Sequence, residues 1–89
     1  MKIKSGFELV DRSGQKVIVY KGSEKISFNQ TIVLSGTATF LWEFLKKNEA
    51  TKAQCLSALI EAFDISTVLA LGDIDTFVKT LKANGILED

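Results

Sequence analysis

The chain has 89 residues, 46% of them apolar and 25% charged, and its eleven basic and eleven acidic side chains leave no net charge. It contains one cysteine and neither histidine nor proline. That composition excludes an internal disulfide, a zinc site of the usual Cys/His type and histidine acid–base chemistry, and the neutral balance argues against nucleic acid, whose binders carry a basic excess.

The length suits a single domain over residues 1–89. No apolar run approaches the ~20 residues of a membrane span, and Met1-Lys2-Ile3-Lys4-Ser5-Gly6 lacks the apolar core of a signal peptide. With a lone thiol, a cytoplasmic protein with no membrane partner is the expectation.

The first third reads as strand. Phe7 to Asp11 alternates apolar and polar residues, Arg12-Ser13-Gly14-Gln15 has turn chemistry, and Lys16-Val17-Ile18-Val19-Tyr20 is β-branched and aromatic; together they predict a hairpin. After a loop at Lys21–Lys25, Ile26-Ser27-Phe28 reads as a short extended piece and Thr31-Ile32-Val33-Leu34 as a third strand, completing a three-stranded antiparallel sheet.

The remainder reads as three helices. Ser35 or Thr37 caps a first helix running to about Lys47, with Ala38, Leu41, Trp42 and Leu45 on its apolar face and Phe40 and Phe44 beside it. Thr51 caps a second, carrying Ala53, Leu56, Leu59, Ile60 and Phe63. Asp64-Ile65-Ser66 ends it, and Ser66 or Thr67 starts a third with Val68, Leu71, Ile74, Phe77, Val78 and Leu81. Asn84-Gly85 predicts a left-handed C-cap followed by an Ile86-Leu87 latch. Gly72, inside the third helix, predicts a kink or a close backbone approach there. The order β-β-β-α-α-α predicts an α+β winged helix-turn-helix arrangement with the sheet N-terminal.

No constellation of catalytic residues emerges. Asp73 and Asp75 are two apart on one helix, so they face different ways and make a poor acid–base pair. Cys55 has only Lys52 as a basic neighbour and reads as a core residue, as does Trp42 on the wide apolar face of the first helix. Gly36 is followed by Thr-Ala-Thr, with no lysine where a phosphate loop needs one. The third helix begins apolar and turns acidic, and the single arginine, Arg12, lies in the first turn; a base-reading helix wants Arg, Asn or Gln at its start. Neither a catalytic residue, a metal ligand nor a cofactor site is expected.

One feature remains. Thr31-Ile32-Val33-Leu34 carries neither charge nor proline, so as an edge strand it would template β-augmentation by an extended peptide, and it could equally pair with its own copy to give a homodimer. The third helix, with Leu71, Val78 and Lys82 on one stripe and Asp75 and Lys79 beside it, would form the other wall of a groove. The competing reading, a central and fully paired strand, is equally compatible with these residues.

The pattern Val33-Leu34-Ser35-Gly36-Thr37-Ala38, then Phe40-Leu41-Trp42-Glu43-Phe44-Leu45, resembles the signature of the PqqD-like family, relatives of coenzyme PQQ synthesis protein D. Thr51 to Phe63 with Asp64-Ile65-Ser66, and Asp73-Ile74-x-x-Phe77-Val78-x-x-Leu81 with Asn84-Gly85-Ile86-Leu87, resemble its later segments. The likeness spans Phe7 to Leu87; Ser35 departs from the family's usual asparagine and can still cap a helix. The resemblance implies a winged-helix RiPP recognition element, a non-catalytic peptide chaperone that binds the leader of a ribosomally made precursor peptide and presents it to a modifying enzyme, often a radical SAM protein. It implies that the leader adds beside Thr31, Ile32, Val33 and Leu34, against the helix face with Leu71, Asp75, Val78, Lys79 and Lys82. A winged-helix DNA-binding regulator is the alternative of a different class.

Overall fold

A computed structural model describes Met1–Asp89. The chain order is β1 (Lys2–Ile3), β2 (Phe7–Arg12), β3 (Gln15–Tyr20), β4 (Val33–Leu34), α1 (Gly36–Lys47), α2 (Lys52–Phe63), α3 (Thr67–Ala83) and β5 (Leu87–Glu88). The expected hairpin is β2–β3, with Arg12 opposite Gln15 and a two-residue turn at Ser13-Gly14. Both turn residues have positive φ, 53° and 82°, the type I′ geometry whose twist matches that of the strands and which glycine adopts without strain. β4 joins the free side of β3 antiparallel, giving the order β2-β3-β4. This is the α+β winged-helix arrangement read from the sequence.

The third strand is shorter than Thr31–Leu34. Regular pairing covers Val33 and Leu34, and the Ile32 carbonyl accepts one more bond from the Ile18 N–H at 3.1 Å. Ile26-Ser27-Phe28 forms no strand; Phe28 instead packs edge-on against Phe7, ring centres 5.3 Å apart. A second sheet went unread in the sequence: β1 pairs with β5, Ile3 opposite Leu87. Strands of two residues carry no periodicity to read.

The helices begin where their caps predict. The Ser35, Thr51 and Ser66 side chains accept from Ala38, Gln54 and Leu69 N–H groups, and Gln54 answers Thr51 in a reciprocal capping box. α3 ends in a Schellman motif: the Gly85 N–H donates to the Lys82 carbonyl and the Ile86 N–H to that of Leu81, with Gly85 at φ 69°. Ile86 and Leu81 are fully buried beneath it. α3 is continuous through Gly72, and a Cβ there would meet nothing within 4 Å, so no close backbone approach explains that glycine.

One cluster holds nearly all the buried residues. Phe7 and Ile18 of the sheet meet Leu41, Trp42 and Leu45 of α1, Leu59 of α2, and Ala70, Ile74, Phe77 and Leu81 of α3. Cys55 and Trp42 are both core residues, as expected.

Candidate functional site

β4 is an edge strand: only β3 pairs with it. Its register fixes which backbone groups stay free. Residues of an antiparallel pair alternate between exchanging both hydrogen bonds and exchanging none. The Ile18 N–H to Ile32 carbonyl bond makes Ile18–Ile32 a bonded pair, which makes Val17–Val33 an unbonded pair and Lys16–Leu34 bonded again. The β2–β3 hairpin gives the same parity from its other end, because a two-residue loop is closed by a bonded pair, here Arg12–Gln15. The N–H and C=O of Val33 therefore point to the open edge. The residue as a whole is 46% exposed.

Beyond that edge lies a groove of about 230 Å³. Ile32, Val33 and Leu34, with Ser35, Thr37 and Ala38 at the start of α1, line one side; Asp73, Thr76, Phe77, Thr80 and Leu81 of α3 line the other. The floor is apolar, since Ile32, Phe77 and Leu81 belong to the core. Hydroxyl groups rim it, and Asp73 is its one charged lining residue.

Of the strand positions singled out in the sequence, the structure brings Ile32, Val33 and Leu34 into the groove; Thr31 is exposed beside it and does not line it. The helix positions lie elsewhere. Leu71, Asp75, Val78, Lys79 and Lys82 do not line this groove. At about 100° per residue Leu71, Asp75, Val78 and Lys82 fall on nearly the opposite side of α3 from Asp73, Thr76 and Thr80, and Lys79 lies between the two faces. Asp75 makes an ion pair with Lys52 of α2, and Val78 packs half-buried on the core. Lys82 bonds Asp89 at 2.8 Å, and that bond holds the Asp89 carboxyl below its usual range. Lys79 is exposed. The core stripe Ala70–Ile74–Phe77–Leu81 has a neighbour on each side, the sheet edge and α2. Helical periodicity finds such a stripe without saying which flank meets which neighbour. The available signal was the short polar series Asp73, Thr76, Thr80 running alongside Phe77 and Leu81.

Residues 15–87 match the model of the family described as coenzyme PQQ synthesis protein D. The chain belongs to the PqqD family. The match runs from β3 through β5, so it takes in both walls of the groove. Among curated proteins there is no match. Among solved structures, TbiB1 in complex with the TbiA(beta) leader peptide superposes on this PqqD-family chain with a TM-score of 0.71 at 15% identity, covering 99% of this chain and 95% of that one. At that identity the likeness is one of fold, and it supports the arrangement of sheet and helices described above. No helix of the PqqD-family chain is long and apolar enough to cross a membrane.

Proposed function

We propose that this PqqD-family chain is a non-catalytic peptide-binding chaperone, a single recognition domain over residues 1–89 that takes up the leader of a ribosomally made precursor peptide by strand addition and presents it to a modifying enzyme of the radical SAM type. The observation that carries this reading is the open edge of β4 at Val33, facing a groove whose far wall is α3. Backbone pairing at such an edge supplies affinity without regard to sequence, and alternate side chains against the wall supply specificity. The family, and the leader peptide held by the similarly folded TbiB1, support it. In this reading the peptide-contacting residues are Ile32, Val33 and Leu34 with the Asp73–Leu81 face of α3, while the Leu71, Asp75, Val78, Lys79 and Lys82 side remains for other partners. The site of action is the cytoplasm, where precursor peptides are made.

A DNA-reading role has less to stand on. The single arginine is at the hairpin turn, and α3 begins Thr67-Val68-Leu69-Ala70, without the Arg, Asn or Gln that a recognition helix needs at its start. The deciding experiment is a titration of the ¹⁵N-labelled chain with the leader peptide encoded beside its gene. Saturable shifts of Val33, Leu34 and the Thr76–Leu81 amides are expected. Shifts confined elsewhere, or none, would reject the proposal, and salt-dependent retardation of duplex DNA in a gel would favour the regulator instead.

A further inference from the structure

One carboxylate, that of Asp73, lines the groove, and no cation lines it beside that carboxylate. Asp73 lies in the interior of α3, too far from its first turn to serve the helix dipole. Aspartate is a weak helix former, yet Asp73 takes part in none of the chain's five ion pairs. Its neighbour in sequence, Asp75, is by contrast paired with Lys52 on the other side of the helix. Around Asp73 the groove offers an apolar floor at Phe77 and Leu81 and the hydroxyls of Thr76 and Thr80. A lone negative charge beside an apolar pocket disfavours an acidic occupant and attracts a cationic one.

Spacing sharpens the match. Asp73 and Phe77 are four residues apart on a helix, about 6 Å along its axis. Side chains two apart on an extended chain are separated by about 6.6 Å and share a face. A strand laid along α3 that sets one side chain against Asp73 therefore sets the next one on that face against Phe77. We propose that Asp73 is a specificity-determining residue of the groove, and that it selects an extended peptide bearing a lysine or arginine two positions from an apolar residue. This rests on the peptide-binding reading above and names the class of peptide that the site takes.

The test uses the full chain and a phage-displayed library of random 12-residue peptides. Selected peptides are synthesised, measured by fluorescence anisotropy and assigned to a site by their shift of the Val33 amide. Peptides that shift Val33 are expected to share a basic residue two positions from an apolar one, in either order. Replacing that basic residue by glutamate should weaken binding about tenfold, and Asp73→Lys should reverse the preference; Asp73→Asn should remove it. Asp73 is exposed and unpaired, so these variants are expected to fold, which their thermal transitions would verify. Val33-shifting peptides with no basic bias, or a lysine-to-glutamate exchange that Asp73→Lys does not invert, would overturn the specificity role and leave the peptide site standing. A selection in which no peptide shifts Val33 would overturn both.

Discussion

Val33 carries the site's backbone chemistry, and its place in the ladder allows a clean perturbation. Its N–H and C=O point away from β3, so proline there removes an edge donor while leaving every β3–β4 bond in place. The residue before a proline prefers extended backbone, which Ile32 already supplies by pairing with Ile18. Val33→Pro is therefore expected to lower peptide affinity at least about tenfold, through a lost hydrogen bond and the bulk of the ring on the open edge, while moving the melting temperature by only a few degrees. Titration calorimetry and thermal denaturation would show the two effects separately. Gly72 offers the opposite kind of change. It lies in the helix with open space where a Cβ would go, so Gly72→Ala should stabilise the chain by about 1 kcal/mol, or about 4–8 °C, in a melting experiment. Cys55 is 1% exposed, and burial raises its thiol pKa. The unfolded chain then ionises first as pH rises, so the contribution of the neutral buried thiol is intact at neutral pH and is lost above about pH 8.5. A thiol-specific reagent at pH 8 is expected to label Cys55 at the rate of unfolding, and Gly72→Ala should slow that labelling.

At the scale of elements, what the sequence revealed and what it hid have separate causes. Helix starts were legible because Ser35, Thr51 and Ser66 each satisfy a free N–H group locally, and the end of α3 because Asn84-Gly85-Ile86 suits a Schellman turn. The hairpin was legible from its turn residues and β-branched strand. The edge position of β4 was not, since an uncharged run such as Ile32-Val33-Leu34 reads alike at an edge or in the middle of a sheet. Neither was the wall that α3 presents, because its apolar stripe has neighbours on both flanks. The β1–β5 pair was hidden for a third reason. It joins residues 2–3 to residues 87–88, and only the fold brings them together. That closure rests on side chains under the Schellman turn, chiefly Ile86, which is fully buried. Ile86→Ala is expected to cost about 2–5 kcal/mol in chemical denaturation, since it leaves a cavity where the C-terminal end of α3 meets β1 and β5.

For the molecule as a whole, the groove belongs to no single element. One wall is a sheet edge and the other a helix that reaches it only through the shared core of Phe7, Ile18, Leu41, Phe77 and Leu81. The unfolded chain has no such site, so a peptide that binds it stabilises the native state by mass action, by about 2.7 kcal/mol at a hundredfold excess over Kd. For a chain of this size that raises the melting temperature by about 10–20 °C. A second copy pairing through β4 would use the same Val33 groups, so a self-paired dimer and a peptide complex exclude one another. The two-residue β4 gives such a copy little to hold, far short of the ~1,000 Å² that a stable interface buries. The peptide-free chain is therefore expected to sediment as a monomer at micromolar concentration, with a melting temperature independent of protein concentration and raised only by peptide. A transition that climbed with protein concentration and lost that dependence when peptide was added would show instead that the edge at Val33 is ordinarily occupied by a second copy, and that the peptide has to displace it.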